Sequence, residues 1–351
     1  MQATVVDDLF MWSAWQSAPN VFFNSFFVAA EGGNLILDPL PLSEPDAAQI
    51  DERGGAAWVV ITNRDHERDA KNVAARFGAK IAASEADAPL LGISVDRRLK
   101  DGDEIGGARV LGFDGLKTAG EIALHFRAKQ TAISGDALWG DVAGKLRLGP
   151  KLADAGRAAL SLRRLAALRV ENLLIGDGQC IFGGATRALW RCLEACPDAY
   201  VNKINVDEAD WKHDPPGTRE PYVGSWTDVD FEIGAEQLGY RVARIPAGKS
   251  FCPLHWHTAE EELFIVTGGE PTLITPRGTW KLRQGDFVAF PARASGAHKI
   301  VNESNAPCDI VMIANVVPHD CCFYPDSKKV LIERAGLMLR DHPALDYFEG
   351  E

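Results

Sequence analysis

His255-Trp256-His257, a carboxylate at Glu261 or Glu262, and His298 are the residues of this chain best suited to chemistry. Three imidazoles and one carboxylate form a mixed nitrogen–oxygen donor set for a first-row transition metal. In an extended strand alternate side chains share a face, so His255 and His257 point one way and Trp256 the other. A lone histidine is more often a surface or hydrogen-bonded core residue. His-x-His with a carboxylate close behind and a third histidine downstream, all in β-prone sequence, favours a metal site. Four protein ligands leave one or two coordination positions open for water, substrate or oxygen.

The flanking residues indicate what must hold these groups. Glu262-Leu-Phe-Ile-Val is β-prone and follows a short Thr258-Ala-Glu turn. Gly285-Asp-Phe-Val-Ala-Phe-Pro291 reads as a strand entered by a tight Gly-Asp turn, residues 292–296 as a loop, and His298-Lys-Ile-Val-Asn302 as the next strand. Two hairpins facing each other across a small barrel would bring the four groups together.

Residues 248–302 resemble the cupin double motif, and residues 200–335 are similar to the small single-domain cupins. Ile245-Pro-Ala-Gly-Lys-Ser-Phe-Cys-Pro-Leu-His-Trp-His-Thr-Ala-Glu-Glu-Glu262, continuing to Gly269-Glu270, resembles the first motif. Gly285 to Pro291, with His298 and Asn302, resembles the second. Phe323-Tyr-Pro-Asp-Ser-Lys-Lys329 is similar to a tail that follows the barrel in some members. The chain departs from the pattern in two places. Six residues rather than five separate Gly248 from His255, and the loop between Pro291 and His298 is two residues longer than is common. The resemblance implies an all-β cupin barrel, a double-stranded β-helix or jelly roll, with His255, His257, Glu262 and His298 as metal ligands. Glu261 and Glu262 both satisfy the family spacing to a following glycine. The family's Glu-Glu, apolar run and Gly-Glu match Glu262 with Gly269-Glu270, so Glu262 is the ligand expected. The implied cofactor is one divalent transition metal per chain: Fe, Mn, Ni or Zn.

The first half alternates strand and helix signals, which indicates an α/β domain with mixed strands. Strand-like runs occupy residues 34–38, 57–62, 108–113, 122–126, 131–134 and 172–176. Helical patterns cover residues 67–78, 151–169 and 185–196. Order and punctuation resemble the metallo-β-lactamase fold, an αββα sandwich. The hairpin 20–38 looks like that family's opening, and Thr62-Asn-Arg-Asp-His-Glu-Arg68 stands where its metal-binding His-x-His-x-Asp-His follows a strand. Gly115-Leu-Lys-Thr-Ala-Gly120, Ser134-Gly-Asp136 and Gly176-Asp-Gly178 resemble the later ligand-bearing loops. On this alignment the ligand positions hold Asn63, Asp65, Glu67, Arg68, Lys117, Asp136 and Asp177, and only Asp136 keeps the expected type. A one-residue shift brings His66 near a ligand position but breaks the spacing of the others. Lys117 and Arg68 bring positive charge where ions should lie, and divalent ions need neutral or anionic donors. The half therefore reads as a degenerate, non-hydrolytic scaffold in which Asp65, Lys117, Asp136 and Asp177 form an ion-pair network.

The domain plan that follows is 1–197 degenerate metallo-β-lactamase-like, 198–225 linker or arm, 226–335 cupin, and 336–351 tail. Pro215, Pro216, Gly217 and Pro221 break regular structure in the linker. The resemblance implies that such arms pair barrels, so a homodimer is expected.

A length of 351 residues suits two domains. The net charge is −12, with no Lys/Arg cluster, so nucleic acid and anionic membranes are poor partners and a small molecule is the expected one. The start lacks a basic n-region, and the longest near-apolar stretch, residues 21–30, is interrupted by Asn24-Ser25 and too short to span a bilayer. Seven cysteines without a Cys-x-x-Cys pair suit a reducing cytoplasm, the expected location. Cys252, beside the first motif, is the one thiol whose position suggests a role. The function expected is a metal-dependent enzyme acting on a small molecule in the barrel, with a dioxygenase-type oxidoreductase as first choice. The alternatives are an isomerase- or decarboxylase-type cupin, or a non-catalytic metal- or ligand-binding or sensing module.

Overall fold

Near-continuous apolar runs decide the architecture of the first half. In the strands Leu35–Leu37, Trp58–Ile61, Ile122–Phe126 and Asn172–Gly178 nearly every residue is buried, so both faces of the sheet must be covered. The computed structural model describes residues 1–340 other than Pro19, Asp141, Pro216 and Thr218. Pro216 of the expected linker and residues 341–351 of the expected tail lie outside the described residues. The chain divides into two units, Met1–Asn202 and Lys203–Glu351.

Met1–Asn202 is an αββα sandwich. Leu35, Leu37, Val60, Leu124, Ile133 and Leu174 turn to an inner core between the two halves of a long sheet. Their strand neighbours Ile36, Val59 and Ile61 turn outward to the helices Glu44–Asp51 and Ala70–Phe77. Ala123, Ala132, Leu173 and Ile175 turn outward to the helices Ala155–Ala167 and Ala185–Glu194. A period of two on each strand thus builds three apolar layers. The halves join where the strand Val21–Val28 meets Asn172–Gly178 through the single pair Phe23 and Asp177. Helix ends follow local chemistry: Asp154 caps the third helix by accepting from the Arg157 amide, and Gly78 ends the second in the left-handed region. The helix Glu44–Asp51 and the strand Lys80–Ser84 were not legible in the sequence pattern.

The second unit is a β-barrel of three sheets. Six strands run in the order Lys212–His213, Ser225–Asp228, Leu238–Ile245, Cys308–Asn315, Glu262–Gly268, Phe287–Phe290. A three-stranded sheet holds Gly278–Lys281, Thr272–Thr275 and Lys299–Val301. Four further strands, Trp256–His257, Cys321–Tyr324, Lys329–Ile332 and Leu337–Arg340, form the remaining sheet. Ile245, Phe264, Val266 and Ile310 meet Leu273 and Ile300 inside. Within the segment read as a linker, Val201 is buried in the first unit's core, and Lys212–His213 extends the six-stranded sheet.

Candidate metal centre

Strand pairing brings the histidines together. His255 and His298 face each other in an antiparallel bridge, with His255 N donating to the His298 carbonyl at 3.1 Å and His298 N to the His255 carbonyl at 2.9 Å. His257 lies in the strand Trp256–His257, which pairs with Cys321–Tyr324. Glu262 opens its strand between Phe290 and Ala314. The expectation of two facing hairpins is therefore corrected: the two histidine segments join each other directly, and the carboxylate comes from another sheet. The longer loop before His298 contains the short turn Ala294–Gly296. Gly296 is required there, since a Cβ would run into the Pro291 carbonyl.

Three imidazole Nε2 atoms converge on one oxygen of Glu262: His298 at 3.4 Å, His257 at 3.6 Å and His255 at 3.7 Å. The opposite nitrogens are all tied down. His255 Nδ1 donates to the Pro253 carbonyl at 3.0 Å and His298 Nδ1 to the Gly296 carbonyl at 2.9 Å. Carbonyls only accept, so both Nδ1 atoms carry the proton and both Nε2 atoms present a lone pair. Burial pushes His298 down to about 3 and His255 down to about 4, so both rings are neutral at pH 7. Burial lifts Glu262 to about 7 against the pull of His257. For His257 burial opposes the charge, but the Cys322 side chain, Glu262 and Asp320 outweigh it and raise the ring to about 10. His298 is 1% exposed, is stacked on Phe290 at 3.6 Å, and its Nε2 has no hydrogen-bond partner among the described residues. A buried polar atom left without a partner is costly. The donor set and the orphaned nitrogen fit a divalent transition metal held by His255, His257, Glu262 and His298.

Two neighbours were missed by sequence reasoning. Buried Asp320 accepts from His257 Nδ1 at 2.7 Å, and its other oxygen takes the Ala259 amide at 2.7 Å and the Thr258 hydroxyl at 3.0 Å. It fixes the ring of His257, as carboxylates do behind ligand histidines. Cys322 stands opposite His257 on the paired strand, its sulfur within 4.8 Å of donor nitrogens of His255 and His257. No local signal marks either residue. Glu261 is exposed, and its amide donates to Asn315. The thiol singled out in the sequence, Cys252, lies 3.7 Å from His255 Nδ1, on the ring edge opposite the Nε2 atom that faces Glu262.

The first unit gathers a second polar cluster, around His66. The short turn Arg64–His66, capped by Asn63, aims His66 inward. Its Nδ1 lies 2.8 Å from Asp38 and its Nε2 3.1 Å from Asp136. Arg68 also approaches Nε2 at 3.2 Å, but it donates to Asp177 at 3.1 Å and to the Asn24 carbonyl at 2.7 Å. With carboxylates on both edges the ring is an imidazolium. Burial opposes that charge; Asp38 beside it and the hydrogen bonds to Asp136 and Asp38 outweigh burial and raise it to about 10. Lys117 bridges Asp136 at 3.0 Å and Asp65 at 2.6 Å. Asn63 instead donates to Glu121, and Glu67 accepts the Gly92 amide, so neither joins the cluster.

Comparison with known proteins places this architecture. The family model described as the metallo-beta-lactamase superfamily matches residues 1–195, more than half of the chain. The chain belongs to the metallo-β-lactamase superfamily. A second model, the cupin domain, matches residues 241–314, so a cupin domain follows the metallo-β-lactamase domain. Hydroxyacylglutathione hydrolase of Cereibacter sphaeroides is 31% identical over 153 residues, 42% of this chain and 57% of that protein. The enzyme of the same name from Acidiphilium cryptum is 31% identical over 157 residues, 43% of this chain and 62% of that protein. The chain thus spans less than two thirds of the length of these relatives. Among solved structures, a metallo-beta-lactamase from Pontibacter korlensis is 16% identical and covers 55% of this chain and 98% of its own, with a TM-score of 0.45. A sugar phosphate isomerase from a cupin superfamily, of Silicibacter pomeroyi, is 23% identical and covers 41% of this chain and 97% of its own, with a TM-score of 0.36.

Within the metallo-β-lactamase domain His66, Asp136 and Asp177 lie close enough to share an ion, yet the set does not fit one. Arg68 and Lys117 already occupy the carboxylates, and both nitrogens of His66 are spoken for. No helix among the described residues is long and apolar enough to cross a membrane.

Proposed function

We propose that the cupin domain binds one divalent transition metal per chain through His255, His257, Glu262 and His298 and uses it to transform a small molecule by a dioxygenase-type oxidation. The metallo-β-lactamase domain then serves as a non-hydrolytic scaffold. The observation that carries the proposal is the convergence of three Nε2 atoms on one Glu262 oxygen, with His298 Nε2 buried and unpartnered. When bound, Fe, Mn, Ni or Zn supplies Lewis-acid polarisation, and a redox-active ion adds one-electron chemistry. Positions left open beside three histidines and a carboxylate suit a chelating substrate and oxygen together.

The chain's own residues do the positioning. Asp320 holds His257, the Pro253 and Gly296 carbonyls hold His255 and His298, and Phe264 and Phe290 shield His298 from water. For the scaffold role, the support is that Arg68 and Lys117 neutralise the carboxylates an ion would need. A homodimer is part of the proposal. The outermost strand Leu337–Arg340 exposes Leu337, Met338 and Leu339 in sequence, an apolar edge suited to a second copy.

Oxygen uptake by metal-loaded protein with candidate small molecules tests the reaction. Uptake that requires metal and disappears in His298→Ala is expected. Turnover without oxygen consumption would exclude the oxidation, and ester hydrolysis surviving His255→Ala would return chemistry to the first domain.

A further inference from the structure

Cys322 and His257 are directly opposed in the antiparallel pair of Trp256–His257 with Cys321–Tyr324. Opposed residues project from the same face of a sheet. Their neighbours confirm the facing: Trp256 and Phe323 stack on the other side at 4.5 Å and 8°. Cys322 is therefore carried to the face that holds the histidines. Its sulfur and one nitrogen each of His255 and His257 all lie within 4.8 Å of one another. The residue is 2% exposed and forms no disulfide. His298 Nε2, in a residue 1% exposed and without a hydrogen-bond partner among the described residues, presents a further lone pair beside His255.

From this geometry we infer that Cys322 is a further ligand of the metal in the cupin barrel, adding sulfur to the three nitrogens and one oxygen. The inference rests on the metal centre proposed above and deepens it. His255 belongs to two overlapping donor groups, one with Glu262 and His298 and one with His257 and Cys322. A single ion engaging both draws on a mixed N, O and S set. Thiolate is a soft ligand, so the centre favours Zn(II), Co(II) or Ni(II) over Mn(II). Only the thiolate coordinates, so binding displaces the thiol proton to solvent. Cys252 does not share the role, because its sulfur lies 3.7 Å from His255 Nδ1, the nitrogen already bonded to the Pro253 carbonyl.

The probe is Co(II) added to the full chain, with absorption spectra recorded for the wild type, Cys322→Ser and Cys252→Ser. Bound cobalt gives visible ligand-field bands, and a cobalt–thiolate bond adds a charge-transfer band in the near ultraviolet. The wild type and Cys252→Ser are expected to show both. Cys322→Ser should keep the visible bands, lose the charge-transfer band and bind Zn(II) about 10–100-fold more weakly, a range set by loss of even an outer-shell partner. Visible bands without the charge-transfer band in the wild type would overturn the inference while leaving the metal centre standing. A charge-transfer band that survives Cys322→Ser, or vanishes with Cys252→Ser, would overturn it as well. Absence of all cobalt bands would instead refute the metal centre itself. The wild-type spectrum decides even if Cys322→Ser fails to fold.

Discussion

Raising the pH should unfasten the metallo-β-lactamase domain through His66. The ring is held as an imidazolium between Asp38 and Asp136, at about 10 against 6.5 in an unfolded chain. A cation whose folded value is raised contributes stability that is complete below the unfolded value and lost as pH rises through the folded one. The ceiling is about 5 kcal/mol, and about 3 kcal/mol of it disappears between pH 6 and pH 9. His66 is buried, so solvent screening does not reduce this much. Asp177 and Glu121, raised by burial, bind protons more tightly when folded and add to the same downward slope. Urea unfolding of the full chain at the two pH values measures the loss. Resolved methyl signals of Leu124 and Leu174, in the inner core, read this domain alone. The imidazole resonances of His66 provide the second arm and should stay those of a charged ring through pH 9. A His66 ring that titrates at or below pH 6.5, or a domain equally stable at both pH values, would refute the reasoning.

Other consequences can be checked singly. Asp320→Asn keeps the shape but removes the charge behind His257, so metal affinity should fall about 10–100-fold in a chelator competition; unchanged affinity would detach Asp320 from the site. Gly296→Ala forces a Cβ against the Pro291 carbonyl and should destabilise the cupin domain by about 1–3 kcal/mol in thermal unfolding, whereas a neutral effect would show that the loop yields freely. Lysines placed at both Leu337 and Leu339, which share one face of the edge strand, should convert a dimer to a monomer by light scattering. A wild type that is already monomeric, or a variant that stays dimeric, would remove that edge from the assembly.

Much of this molecule was legible in its sequence because periodicity and short spacing are local properties. The unbroken apolar runs Leu35–Leu37 and Trp58–Ile61 announce a sheet covered on both faces, and His255-Trp256-His257 announces two imidazoles on one side. What was not legible depends on pairing between distant segments. Asp320 reaches His257 across 63 residues, and Cys322 meets it only because one antiparallel register sets them opposite. His66 shows a different limit. Aligning residues 62–68 by spacing put weight on Asn63, Asp65 and Glu67, but the turn Arg64–His66 rotates His66 to the centre and sends Asn63 and Glu67 to other partners. Lys117 and Arg68, recognised in the sequence as misplaced positive charge, do sit on the carboxylates, because a buried carboxylate requires a counter-charge.

The central claim is that the cupin histidines hold a metal, and metal content per chain tests it most directly. Purified full-length protein, loaded and then dialysed free of excess ion, is expected to retain one equivalent of a divalent transition metal by elemental analysis, and His257→Ala to lose most of it. A wild type that retains none, or a His257→Ala variant that retains the full equivalent, would contradict the account.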